Sequence, residues 1–390
     1  MTEISNLAAN WNYPTAIRVG KGRIRELPEA CKQLNMNAPL LITDPGLAVL
    51  PMIQAVIDHC KVAGLHCDVF STIQGNPTGQ NVSDGVAAYR AGNHDGVIAL
   101  GGGSALDAGK AVALMVGQNR PLWDFEDRGD NWQRVNEAGM AAIIAVPTTA
   151  GTGSEVGRAS VITDTEQQVK KIIFHPNMMP VRVILDPELT VSLPAKITAA
   201  TGMDALSHNL EAYCAPFYHP MADGIAMEGI RLVKDYLPRA FANGRDIEAR
   251  TQMLTASLMG ATAFQKGLGG MHAIAHSLGA VYDAHHGLLN AILMPYIFKA
   301  NRVAIENRIV WLSRFLSLDD TSFDGFLSWV LQLRSQLEIP HSLSAIGIDT
   351  AQAQRIGAMS VADPSTGGNP IAFTAERYSE IFVEAVNGKI

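Results

Sequence analysis

Asp204 and His208 stand four residues apart, His272 and His276 repeat that spacing, and His285 and His286 follow shortly after. Side chains four apart on a helix project from one face about a turn apart, so each pair can aim two ligating atoms at one point. Neutral imidazole suits Fe, Zn, Ni or Cu. A mixed histidine and carboxylate set with open positions is the composition of a catalytic ion site, whereas a structural zinc more often recruits cysteine. An acid/histidine pair at this spacing is also common on solvated helices, but Leu206 and Leu210 put apolar residues around this one and point to an inward face. Such an ion would act as a Lewis acid, stabilising an alkoxide or polarising a carbonyl.

A second chemistry-bearing cluster is Gly101, Gly102, Gly103 and Ser104, between a β-rich run over 96–100 and a helical run over 104–116. Glycines let backbone approach a phosphate, and a helix N-terminus offers N–H donors and a positive dipole. The plainer alternative is a strand-to-helix turn with Ser104 as N-cap. The GxGxxG spacing fails, since Leu106 stands where the third glycine belongs. Asp44, a plausible acceptor for a ribose hydroxyl, precedes the turn, although the usual acid follows it by about 20 residues. This is a nucleotide fold of another lineage. A further small-residue turn, from Pro147 to Gly153, follows a strand over 142–146.

Positioning these clusters takes two kinds of scaffold. Up to about residue 187, strands over 39–43, 66–70, 96–100 and 142–146 alternate with helices over 47–63, 82–91 and 104–116, the pattern of a parallel sheet covered by helices. Beyond Asp186 and Pro187 the chain is rich in Ala, Leu, Met and Glu with helical spacing. The expectation is an α/β, Rossmann-like dinucleotide-binding domain over 1–187 and an all-α metal-binding and substrate domain over 188–390. The stretch 121–137, with Trp123 and Trp132, reads as a surface excursion.

With 30 basic and 37 acidic side chains among 390 residues, the net charge is −7 and no run of Lys or Arg exceeds two residues, which argues against nucleic acid and anionic membrane surfaces as partners. No apolar run approaches the roughly 18 residues of a membrane span. Residues 1–11 lack both a basic start and an apolar stretch, so no secretory signal is read and a cytoplasmic location is expected. Cys31, Cys60, Cys67 and Cys214 show no CxxC spacing and read as buried reduced thiols.

The motifs together resemble the iron-containing, group III alcohol dehydrogenases, a family that includes lactaldehyde/propanediol oxidoreductases. The resemblance runs through ITDPGL at Asp44, NPT at Asn76, GGGSALDAGK from Gly101, PTTAGTGSEV from Pro147, DPELT from Asp186, TGMDALSHNLEAY from Thr201, MHAIAHSLGAVYDAHHG from Met271 and TGGNP from Thr366. It implies a divalent metal, Fe²⁺ with Zn²⁺ or another ion as substitutes, held by Asp204, His208, His272 and His286. It makes His276 a catalytic residue near the nicotinamide, outside the ligand set, and His285 a bystander. It further implies NAD, with the pyrophosphate on Gly102, Gly103 and Ser104, the nicotinamide side near Thr148, Thr149, Thr152 and Val161, and Lys171 within reach of a ribose. Asn76 and Asp107 join the cofactor residues, and Asp44 matches the acid that favours NAD over NADP. Gly157 departs from relatives that often carry a hydroxyl residue there.

The activity so implied is interconversion of a small primary alcohol or diol and its aldehyde by direct hydride transfer, in a homodimer or higher homo-oligomer. A dehydroquinate-synthase-like NAD/zinc lyase of related fold would need cations facing the metal, and 199–226 contains no Lys or Arg. A non-catalytic nucleotide binder is opposed by the complete ligand set. A hydroxy-acid dehydrogenase of the same family is the nearer rival. The segments 209–216 and 261–270, expected to border the metal, are mostly small or apolar, with Phe264 and Leu268 as walls and Lys266 the nearest cation. A desolvated pocket of that kind favours a neutral substrate.

Overall fold

The computed structural model describes residues 14–390, so the stretch 1–11 read above for targeting lies outside the described residues. The chain divides after Ser192 into two compact units.

The first unit contains β1 (Ala16–Val19), β2 (Pro39–Ile42), β3 (Asp68–Phe70), β4 (Gly96–Gly101), β5 (Ile143–Pro147), β6 (Ala159–Asp164), β7 (Val169–Phe174) and β8 (Arg182–Leu185). Six of these form one parallel sheet in the order β1-β8-β5-β4-β2-β3, while β6 and β7 pair antiparallel as a separate hairpin. The central strands β2, β4 and β5 are buried at every residue, which is why they read as continuous apolar runs. Chain order reverses at β2 and β4, with β3 to one side and β5 and β8 to the other. Open α/β sheets bind ligands at such a switch point, outside the carboxyl ends of the strands. Asp44 follows β2 there, and the glycine turn follows β4.

One expectation is corrected locally. The helix expected over 47–63 is two helices, Pro45–Ala48 and Pro51–Val62, because Pro51 starts the second one at a position where a missing N–H costs nothing. The 121–137 stretch lies at the surface as expected, with only Leu122, Phe125 and Val135 buried, but it is anchored. Phe125 is fully buried, the Asp127 amide donates to the Ile172 carbonyl at 2.8 Å, and Glu126 bridges to Ile173, so the segment lies against the hairpin.

The second unit is helical throughout. Its helices include Ala195–Cys214, Pro220–Ala242, Ile247–Ala263, Gly270–Tyr282, His286–Phe315, Phe323–Gln336, Ala353–Ala362 and Ala375–Asn387. The Ala195–Cys214 helix is buried at every position from Gly202 to Cys214, as expected of a central helix packed by neighbours on all sides. Gly287 lets the His286–Phe315 helix approach it closely: a Cβ there would lie 2.6 Å from the Ala200 carbonyl oxygen and 3.0 Å from the Asp204 Cβ. No helix among the described residues is long and apolar enough to cross a membrane. All four cysteines are free thiols, with Cys31, Cys60 and Cys214 buried and Cys67 only half-buried.

Candidate metal centre and dinucleotide site

Three helices of the second unit deliver the candidate ligand atoms. Asp204 and His208 lie one turn apart on Ala195–Cys214, His272 lies in the first turn of Gly270–Tyr282, and His286 opens His286–Phe315. One ligand atom from each of the four lies within 4.8 Å of every other, and all but the half-buried His286 are buried. The His208 and His272 rings stack with centroids 4.7 Å apart, and His272 and His286 lie 5.3 Å apart. Burial holds the His272 imidazole well below the usual histidine range, with His208 adding to the effect, so the ring is neutral and its lone pair is available.

The chemistry of this donor set fits a divalent cation. Asn290 Nδ2 stands 2.8 Å from Asp204 Oδ1, 3.2 Å from His272 Nε2 and 3.1 Å from His286 Nε2. One amide nitrogen has two hydrogens and cannot satisfy three acceptors that converge on it. A carboxylate with three imidazoles is a borderline-hard set, suited to Fe²⁺ and equally to Zn²⁺.

Sequence reasoning assigned no role to three residues around this cluster. Asn290 is one. Glu211, buried a turn beyond His208, accepts from the Gly269 and Met271 amides at 2.8 and 2.7 Å and lies 2.7 Å from His272 Nδ1. Burial pushes its carboxyl up to about 7, with the backbone donors opposing. The third is Asp363, whose Oδ2 lies 3.0 Å from His276 Nδ1 while its Oδ1 accepts the Ser365 amide at 2.8 Å. Burial raises the Asp363 carboxyl, but His276 and the Ser365 donors outweigh it and leave the group below the usual carboxylate range.

His276 lies beside the cluster and outside it, its ring 5.1 Å from that of His286 and 5.8 Å from that of His272. His285 is exposed, and its Nδ1 accepts the Leu288 amide as N-cap of the last ligand helix. Phe264 meets His208 edge-on at 5.2 Å. Lys266, expected as the cation available to a substrate, is buried instead. Its Nζ donates to the Tyr213 carbonyl at 3.1 Å and pairs with Asp223.

In the first unit, the helix after β4 is Gly103–Met115, with Gly102 at its N-cap position and no side-chain cap. Ser104 therefore sits inside the first turn, and the orphan amides of the helix start meet no side-chain acceptor among the described residues, as a pyrophosphate requires. The two small-residue turns abut: the Thr148 amide donates to the Gly101 carbonyl at 2.9 Å, and a Cβ on Gly103 would run into Thr152. Thr149 borders Gly102 from the same turn. Asp44 Oδ1 caps the Pro45–Ala48 helix through the Leu47 amide at 2.9 Å, while Oδ2 lies 3.7 Å from where a Gly101 side chain would begin. These residues gather at the switch point and fit a dinucleotide.

Other expected cofactor residues are engaged within the protein. Asp107 accepts Ser154 Oγ on one oxygen and the Val161 amide, at 2.9 Å, on the other, so it ties the 154–161 segment to the helix beneath the turn. Lys171 pairs with Asp164 at 2.7 Å and lies 5.0 Å from the Trp123 ring centroid. Asn76, in left-handed backbone at φ 55°, accepts from Lys170 Nζ at 2.7 Å.

Comparison with known proteins places these sites in a family. Residues 14–187 match the iron-containing alcohol dehydrogenase family and 198–386 match the C-terminal region of the Fe-containing alcohol dehydrogenase family. The chain is 34% identical to 4-hydroxybutyrate dehydrogenase of Cupriavidus necator, covering 96% of this chain and 99% of that protein. It is 32% identical to NAD-dependent methanol dehydrogenase of Bacillus methanolicus, covering 97% and 100%. A crystal structure of 1,3-propanediol oxidoreductase superposes with a TM-score of 0.92 at 32% identity, over 97% of this chain and 100% of that one. With matches to both halves and near-complete coverage of relatives above 30% identity, the chain belongs to the iron-containing alcohol dehydrogenase family.

Proposed function

We propose that this chain, an NAD-linked alcohol dehydrogenase, interconverts a small neutral primary alcohol or diol and its aldehyde, with a divalent ion, Fe²⁺ foremost, held by Asp204, His208, His272 and His286. When bound, the ion supplies Lewis acidity to the substrate oxygen and the nicotinamide exchanges the hydride. The protein's own residues do the rest. Gly102, Gly103 and Ser104 receive the pyrophosphate on free backbone amides, Thr148, Thr149 and Thr152 line the adjoining turn, and Asp44 accepts a ribose hydroxyl. His276, held through Nδ1 by Asp363, presents Nε2 as the group that takes or returns the proton.

One observation supports the neutral substrate: Lys266, the single cation in the segments 209–216 and 261–270, is buried against Asp223 and the Tyr213 carbonyl and leaves a substrate carboxylate without a partner there. The second reading, a hydroxy-acid dehydrogenase, draws on the relative that acts on 4-hydroxybutyrate. Direct competition in the reductive direction between a short neutral aldehyde and a semialdehyde acid of equal length separates them. The neutral reading expects the higher kcat/KM for the aldehyde, and a higher value for the acid overturns it.

A further inference from the structure

The start of the Gly270–Tyr282 helix has no cap of its own: Gly269 occupies the N-cap position and offers no side chain. Its orphan amides at Gly269 and Met271 are satisfied from another helix, by the Glu211 carboxylate at 2.8 and 2.7 Å. The same Oε2 that accepts the Gly269 amide also lies 2.7 Å from His272 Nδ1. Two backbone N–H groups donate to this buried carboxylate, one on each oxygen, so it is set as an acceptor and draws the proton of His272 onto Nδ1. An imidazole that donates Nδ1–H has its lone pair on Nε2, the atom that faces Asp204, His286 and Asn290. Glu211 also follows Asp204 by seven residues and His208 by three on one helix, so the element that supplies two ligands also sets the orientation of a third.

We infer that Glu211 is a positioning residue for the metal centre: it fixes the Nε2-ligating tautomer and the ring angle of His272 while capping the helix that carries it. The inference rests on the reading of the four residues as metal ligands. Removing a hydrogen-bond partner of a ligating histidine typically weakens metal binding about 10- to 100-fold. Glu211→Gln keeps the size but replaces an acceptor oxygen by a donor facing three donors, so the tautomer is no longer selected.

The test has two parts. In the wild-type, metal-depleted full-length chain with ¹⁵N-labelled histidine, NMR should show His272 protonated at Nδ1, and protonation at Nε2 overturns the inference whatever any variant does. Zn²⁺ affinity is then measured by chelator competition for wild type and Glu211→Gln. The expected result is one ion per wild-type chain and affinity about 10- to 100-fold weaker in Glu211→Gln, with far-ultraviolet circular dichroism unchanged. Equal affinity in a folded Glu211→Gln overturns the inference while sparing the metal site. A wild type that binds no divalent ion overturns the ligand reading itself.

Discussion

Asp363 stands 87 residues beyond His276 in the chain and 3.0 Å from its Nδ1 in the fold. With its other oxygen engaged by the Ser365 amide, the half-buried carboxylate has one partner left, and rotation of the imidazole would leave that charge unpaired. Asp363→Asn should lower kcat on the order of 10- to 100-fold, below the full worth of a general acid or base, with little change in KM for NAD. In a His276→Ala background the same change should add almost nothing. Steady-state kinetics of the two single variants and the double variant check this, and equal losses in both backgrounds would place Asp363's effect elsewhere.

Metal removal is the second expectation. Chelation should release one ion per chain together with the activity, and neither His272→Ala nor Asp204→Ala should recover either on adding Fe²⁺ or Zn²⁺. An ion at about 100 times its dissociation constant adds roughly 2.7 kcal/mol to stability, so the unfolding temperature should fall on chelation. Elemental analysis, NADH absorbance and a thermal melt of one preparation suffice. Undiminished activity in the stripped protein would contradict it.

Asp44 governs the third. On the proposed reading its carboxylate beside the glycine turn would repel a 2′-phosphate, so Asp44→Gly should bring the kcat/KM values for NAD and NADP closer together. The residue also caps the Pro45–Ala48 helix, but glycine at an N-cap costs only a few tenths of a kcal/mol, so cofactor choice is read on a folded enzyme. If the unmutated enzyme already uses both cofactors equally, Asp44 does not face the ribose.

Glu155 supplies a pH dependence. It is buried, its Oε1 has no hydrogen-bond partner, and burial lifts its carboxyl from 4.5 to about 7, with Lys110 opposing. A carboxyl that binds its proton more tightly folded than unfolded favours the fold below the unfolded pKa, and that contribution disappears as pH rises through the folded one. Glu155→Gln, which mimics the protonated form, should therefore change stability little near pH 4.5 and raise it by about 1 to 3 kcal/mol near pH 8. Urea midpoints at the two pH values measure the difference, and an equal gain at both would show that Glu155 does not titrate between them.

The central strands and the clustering of Asp204 with His208 were legible because their periods are. Continuous apolar runs mark β2, β4 and β5, and spacing of four marks Asp204 with His208. That spacing also joined His272 to His276, although only His272 belongs to the cluster within 4.8 Å, so helical period finds a face but not the atoms that converge from it. Asp363 carried no signal, since packing brings it to His276 from a segment 87 residues away, whereas Asn290 follows His286 by four residues on one helix and only its residue type hid it. The β6–β7 hairpin escaped for a local reason. Its turn, 165–168, places Gln168 in left-handed backbone at φ 54° and contains neither Asn nor Gly, the residues that usually announce such a turn. Lys266 misled because its type was visible and its partners, Asp223 and the Tyr213 carbonyl, were not.

His286 differs from its companions in more than exposure. Asp204, His208 and His272 sit buried within helices, whereas His286 is the first residue of its helix, reached through the three-residue link 283–285 that begins with left-handed Asp283 at φ 49°. Helix ends and short links open at lower free energy than helix interiors. With the proposed ion in place, the speed at which it exchanges with solvent would be decided at one rim imidazole, while the strength with which it is held would be shared by four side chains. Substitutions in 283–285 should change how long an ion stays without changing which ion is preferred.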